Sequence, residues 1–405
     1  MKSPNKQVTD RCDYNKVLDL FIRMVKAPSH PGIKRQEEQT VKELSQFLTT
    51  HHIEHEIIEV EEGRPNLLAT IEGPQAGNHL LFCGHTDTVP PNSQGSTNPF
   101  SAVEKDGRLY GRGTADMKGA VAAMAGALAN LKVSGQLKSG RVTLAAVVDE
   151  EMKSLGTESL IKSGFKADAV IVGEPTQNLI SIGNRGLEWL RIDFKGRAAH
   201  GSTPQAGINA ISAAARFVHF IENELVPDFQ RRIDPALGSP AINMGTIEGG
   251  ESPSTVAAHC SITLDRRWVT TESIEDVFED LEKILDKIRR EKPGLKTKIT
   301  RVPDNMATMI HGPVAINVSH PIVVTAQKVL TAFGQPSEPL TVFPGWTDAS
   351  LLSREGKIPA IIWGPGEIDC AHSPDESIRL NDVFLAADMY TEAAIQFCGT
   401  TKVNG

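Results

Sequence analysis

Leu80–Pro91 reads LLFCGHTDTVPP, an apolar strand that runs directly into His85 and Asp87. Similar short apolar runs lie before it at Asn66–Ile71 and after it at Arg141–Val148 and Ala167–Val172, with helix-like stretches at Ala120–Leu131 and Thr157–Ser163. Upstream, Val17, Leu18, Leu20, Phe21 and Met24, then Val41, Leu44, Phe47 and Leu48, keep helical spacing on either side of Pro28 and Pro31, which predicts two helices. The alternation is that of an α/β fold, a mixed sheet flanked by helices.

The pattern changes near Arg185. Residues 187–200 (LEWLRIDFKGRAAH) alternate like a strand, 206–225 have a helical period, and 241–250 and 257–269 read as two more strands. An amphipathic helix over 271–290 and a strand at 295–302 complete a β-α-β-β-α-β unit, an α+β sandwich able to fold by itself. Beyond Pro303 helix and strand alternate again, ending in the helix Val383–Phe397. The expected organisation is a catalytic domain of residues 1–185 and 304–405 with an inserted domain of 186–303.

The 405 residues are 40% hydrophobic and 23% charged, ordinary values for a globular chain, and exceed the size at which one core keeps growing. A formal net charge of −8 without a Lys/Arg block argues against nucleic acid or anionic lipid as partners. Residues 1–21 lack an apolar signal core and no segment reaches a membrane span, so a cytoplasmic protein is expected. Cys12, Cys83, Cys260, Cys370 and Cys398 are widely spaced and odd in number, which reads as reduced thiols. Cys83 reads as core packing despite sharing a strand face with His85.

The chemistry-bearing residues fall where strands end. By the two-residue strand period His85 and Asp87 share a side, so the Asp87 carboxylate can hold the second ring nitrogen of a metal-bound imidazole; a turn cap is the plainer alternative. Residues 111–131 (GRGTADMKGAVAAMAGALANL) put Asp116 at a Gly-rich turn into a helix. A dinucleotide loop is excluded, because Asp116 stands where the third glycine belongs and would repel pyrophosphate. A helix N-cap and a carboxylate bridging two cations remain open for it.

Asp149, Glu150 and Glu151 close the strand RVTLAAVV, Glu174 follows ADAVIV, and His372 lies in the loop DCAHSPDES after the run PAIIWGPG. Three adjacent acids are tolerable when solvated or near a cation. Ligands of a helix-flanked sheet bind beyond the carboxyl ends of its strands, and here those ends deliver His, Asp and Glu together. Two His and three carboxylates suit Zn(II), Co(II) or Mn(II). His51, His52 and His55 read as solvated, Lys118 as a solvated helix residue, and Thr347 and Asp348 as caps of a following helix, in a loop that could also touch substrate.

With GHTDTVP, GRGTADMKG, DEE, GEP, GRAAHGSTP, LDRR and HSPDE in this order, nearly the whole chain resembles the acetylornithine deacetylase, succinyl-diaminopimelate desuccinylase, aminoacylase and glutamate-carboxypeptidase family of co-catalytic zinc hydrolases. The resemblance implies two metals, one on His85, Asp116 and Glu174, the other on Asp116, Glu151 and His372, with Glu150 as general base. It makes the inserted unit a lid and dimerisation domain of a homodimer, with His200 polarising the substrate carbonyl from a partner subunit. Arg185 and Arg267 sit where such proteins hold substrate carboxylates. Two cations about 3.5–4 Å apart would acidify a shared water, so that hydroxide attacks an amide carbon. Ser254 and Ala257 depart from the family's usual Asn and Pro. The expected substrate is an N-acyl amino acid or short peptide; a metallo-exopeptidase and a non-catalytic binding protein are the alternatives.

Overall fold

The computed structural model describes residues 13–91, 98–302 and 308–399. By contacts the chain divides into two units, Met1–Gly183 with Ile316–Phe343 and Thr347–Gly405, and Asn184–Ala315 with Pro344–Trp346. The division departs from the expected boundaries: Arg185 belongs to the second unit, and the chain leaves that unit after Ala315. Pro344–Trp346 join it as the Trp346 ring stacks on His311, centroids 4.2 Å apart. The expected junction at 303/304 lies outside the described residues.

The first unit is built on a mixed sheet whose strands run His55–Glu61, Arg64–Glu72, Ser139–Val147, Gln75–His85, Ala169–Val172, Ala360–Ile362 and Ser181–Asn184 in spatial order. Gln75–His85 lies parallel to both neighbours, and Ala360–Ile362 is parallel to Ala169–Val172. Central parallel strands are covered on both faces, which is why Leu80–His85 can be buried without alternation. The helix Gly119–Ser134 is buried all round from Gly119 to Leu131, and its small residues let it pack closely against the final helix, Leu380–Cys398. Tyr14–Lys26 turns Val17, Leu20, Phe21, Met24 and Val25 inward and is capped by Asp13, which accepts from the Asn15 amide.

A second sheet of three short strands, Ser377–Arg379, Arg108–Tyr110 and Val103–Lys105, was not legible as such in the sequence. Nor was the edge strand His55–Glu61. The nearby histidines are less solvated than expected: His51 packs on Phe47 at 4.2 Å, and His55 Nε2 lies 2.8 Å from Ser45 Oγ. Only His52 is exposed.

The second unit has the β-α-β-β-α-β order: Gly186–Lys195, Ala210–Phe220, Ala241–Gly249, His259–Trp268, Ile274–Glu291 and Lys296–Arg301. Its four strands are antiparallel neighbours. Leu190, Ile192, Phe194, Ile262 and Leu264 face the two helices, which contribute Ala213, Ala214, Phe217, Leu281 and Leu285. A capping box of Ser273 and Asp276 starts the longer helix. Among the described residues no helix is long and apolar enough to cross a membrane.

Parallel strands leave their carboxyl ends at one end of the first unit's sheet. There the chain after Ala360–Ile362 crosses the Glu174 segment so closely that a Cβ on Gly364 would stand 2.2 Å from Gly173 O and 2.5 Å from Glu174 O. Backbone atoms cannot swing aside as a side-chain tip can. Gly364→Ala is expected to destabilise the protein by about 1–3 kcal/mol, measured as a lower urea midpoint with an unchanged slope.

Candidate metal centre

His85 is the last residue of Gln75–His85, with 1% of its surface exposed. Its Nε2 lies 3.0 Å from Asp116 Oδ1, while Asp116 Oδ2 lies 3.2 Å from His372 Nε2. His372 Nε2 is also 3.1 Å from Glu151 Oε1. One carboxylate therefore stands between two imidazoles. The donor atoms fall into two groups, His85, Asp116 and Glu174, and Asp116, Glu151 and His372, with every atom in a group within 4.8 Å of the others. These are the five residues singled out from the strand ends.

Asp116 is held by a turn and does not cap a helix. Gly113 takes φ 82°, Asp116 itself is extended (φ −126°, ψ 95°), and the helix begins only at Gly119. His85 Nδ1 meets the Asp87 main-chain carbonyl at 3.1 Å and the Asp87 carboxylate at 3.5 Å, on the side of the ring away from Asp116. The same carboxylate also accepts from the Glu150 amide at 3.2 Å and the Glu151 amide at 3.1 Å, fixing both acids.

The three acids at the end of Ser139–Val147 take different surroundings. Asp149, in a left-handed conformation (φ 70°), accepts from Arg64 at 2.7 Å, and Arg64 also grips Glu37 with its fork at 2.6 and 2.9 Å. Glu150 is half-buried beside the cluster. Burial and then the Glu174 charge push its carboxyl well above the usual range. Glu174 is raised in the same way by burial and Asp116, and Glu151 shifts upward for the same two causes. Asp116 alone is lowered: burial opposes its charge, but hydrogen bonds from His372 and His85 outweigh it. The bonds of His372 to Asp116 and Glu151 hold its imidazole up at about 10.

Lys118 is not solvated. It is fully buried, and its ammonium donates to Met24 O at 2.9 Å and Ala27 O at 2.8 Å at the end of the first helix. Burial lowers it to about 7 against the pull of Glu376. Thr347 is also buried, its hydroxyl accepting at 3.2 Å from the amide of Ala349, the first residue of the helix Ala349–Arg354, and Asp348 occupies the N-cap position but turns its carboxylate to Thr157 at 2.7 Å. Cys83 is fully buried in the core. Cys83, Cys260, Cys370 and Cys398 are free thiols, and Cys12 lies outside the described residues.

Three expected site residues belong to the second unit. His200 is exposed, and its Nδ1 accepts from the Ser202 amide at 3.2 Å, which leaves Nε2 to carry a proton. Arg185 donates to Leu237 O at 3.2 Å. Arg267 already spends its fork on Asp265, at 2.8 and 2.9 Å.

The donor set fits two hard or borderline divalent cations. Carboxyls raised by one another's charge are what cations would relieve, and one shared carboxylate between two His-containing groups serves two ions. A cavity of about 800 Å³ near Gln75, Gly140 and Asp168 lies at the opposite ends of the strands and contains none of these groups.

Residues 81–396 match the family model for Peptidase family M20/M25/M40. An acetylornithine deacetylase of Photorhabdus laumondii is 30% identical over 94% of this chain and 97% of its own length. A Staphylococcus epidermidis protein named "Probable succinyl-diaminopimelate desuccinylase" is 28% identical over 88% and 92%. The solved structure of the Bacillus subtilis YXEP protein, a dinuclear metal binding peptidase, superimposes with a TM-score of 0.71 at 17% identity, covering 96% of this chain and 100% of that one.

Arg64 was not recognised in the sequence, and only its position before Asn66 on a strand edge hinted at it. Removing its charge leaves Glu37 and Asp149 buried without their cation. Glu37 already titrates at about 7, raised chiefly by burial. Arg64→Met is expected to cost about 3–5 kcal/mol. The loss should be greater at pH 8 than at pH 5, since the folded state then holds carboxyl protons that the unfolded state has released, and stability falls as pH rises. Urea unfolding at both pH values measures it.

Proposed function

This chain belongs to Peptidase family M20/M25/M40, and we propose that within it the protein is a two-metal amidohydrolase that removes the acyl group from N-acyl amino acids. The observation that carries the reading is the Asp116 carboxylate shared between His85 and His372. His85, Asp116 and Glu174 would hold one ion and Asp116, Glu151 and His372 the other, zinc by preference and cobalt or manganese otherwise. Bound there, the two ions would supply Lewis acidity towards water and the substrate carbonyl.

Glu150 fits the general base. Among the described residues no ring nitrogen or guanidinium hydrogen-bonds its carboxylate, its carboxyl is raised by burial, and the Asp87 carboxylate anchors its amide. It would take a proton from the attacking water and return it to the leaving nitrogen, giving a carboxylate and an amine. His200, with its proton on Nε2, suits a donor to the carbonyl oxygen, reaching the site from a partner subunit in a homodimer. Of the two arginines Arg185 is the more available for a substrate carboxylate, since Arg267 must first release Asp265.

The deacetylase and desuccinylase relatives favour the deacylase reading over an exopeptidase. A binding protein that had lost catalysis would lack a donor or Glu150, and the presence of all six residues in the chain supports the enzyme reading.

Elemental analysis of protein purified without chelator should return close to two metal ions per chain. N-acetyl and N-succinyl amino acids should then be hydrolysed in preference to dipeptides; turnover of dipeptides alone would establish the exopeptidase instead. Glu150→Ala should lower kcat by at least roughly 10²–10⁴-fold with metal content unchanged, and loss of both metals would contradict its role. A variant made monomeric through the second unit should lose activity; a proven monomer with full activity refutes a trans-acting His200.

A further inference from the structure

The turn that carries Asp116 and the loop that carries His372 are joined by two buried side chains with no part in the chemistry above. Glu376 Oε1 accepts from the Ala115 amide at 2.8 Å and the Asp116 amide at 3.1 Å. Its Oε2 accepts from the Gly113 amide at 3.0 Å and from Arg112 at 2.5 Å. Arg112 reaches on to Ser373 O at 3.3 Å, and the Gly111 amide donates to Glu376 O at 2.9 Å. Both charged groups are almost fully buried, with 4% and 3% of the residue surface exposed.

We propose that Arg112 and Glu376 are positioning residues, a clamp that sets Asp116 and His372 in register and so fixes the affinity of both metal sites. The inference rests on the two-metal reading. Glu376 is a further acid close to the cluster, yet each of its oxygens already accepts two hydrogen bonds, which disqualifies it as a ligand and defines it as a support. The turn needs such a support. With Gly113 left-handed and Asp116 extended, its amides find no partners in a helix or ladder, and an unheld turn would leave the shared carboxylate free to swing. Charge assistance strengthens each bond to Glu376, and Arg112 offsets the cost of burying its charge. Since Asp116 belongs to both donor groups, displacing it weakens both sites together, whereas losing His372 affects one.

Zn²⁺ titration of the metal-free full chain, in competition with a chromogenic chelator, tests the clamp. The wild type should take up two ions. Glu376→Gln keeps the shape, but its amide nitrogen cannot accept from Gly113 or Arg112, and both affinities should fall by roughly 10–100-fold. His372→Ala should impair one site alone. A folded Glu376→Gln protein, checked by circular dichroism, with wild-type affinity at either site overturns the clamp, and a lowered melting temperature with both affinities intact makes Glu376 a purely structural pin. Should that variant fail to fold, Arg112→Lys carries the test: it keeps a cation, loses the reach to Ser373 O, and should weaken the His372 site more than the other, with unchanged affinities overturning the proposal. A wild-type chain that binds fewer than two ions removes the two-metal reading and the clamp with it, a result separable from failure of the variants alone.

Discussion

Four carboxylates and two imidazoles crowd the end of one sheet, and their mutual repulsion is the constraint around which the first unit is arranged. Asp116 and Glu174 are buried and Glu150 and Glu151 half-buried, and this loss of water by itself favours the neutral forms of all four. Only Asp116 is settled as a carboxylate by its neighbours, because both imidazoles turn a ring nitrogen towards it. Glu151 shares His372 with it and still shifts upward, Glu150 and Glu174 are raised further, and divalent cations are the natural counterweight.

Holding such a cluster open requires a rigid surround, and this chain supplies it with charged groups that do no chemistry. Asp87 takes the amides of Glu150 and Glu151, Glu376 takes those of Gly113, Ala115 and Asp116, and Arg64 ties Asp149 to Glu37. Each is a buried ion whose desolvation is offset by several hydrogen bonds. The donors that meet them are largely main-chain amides of turns, which a regular helix or strand would have satisfied internally.

Beneath the site, the buried helix Gly119–Ser134 and the parallel strands give a dry platform. Its small residues read from the sequence as a helix, and its burial follows from the absence of any polar face. The second unit was legible for another reason: strict alternation in Gly186–Lys195 and His259–Trp268 separates a covered face from an open one. The short sheet of Val103–Lys105, Arg108–Tyr110 and Ser377–Arg379 has too few residues for any period to show, although it is what brings Glu376 beside Gly111.

His85, Glu150, Glu151 and Glu174 stand out in the amino-acid sequence because they close apolar runs, whereas Asp116 lies in a Gly-rich turn and His372 in a loop, and the base role of Glu150 came from the family resemblance. Local pattern could say nothing about partners distant along the chain. Lys118, one turn residue after Met117, looks solvated until the carbonyls of Met24 and Ala27 are seen to close over it. Asp87 faces His85 two positions away, but its carboxylate also serves amides more than sixty residues on, which no local pattern announces. Residue type and strand ends decide which atoms can bind a metal; the long-range packing of turns, where hydrogen bonds have no periodicity, decides what holds them there.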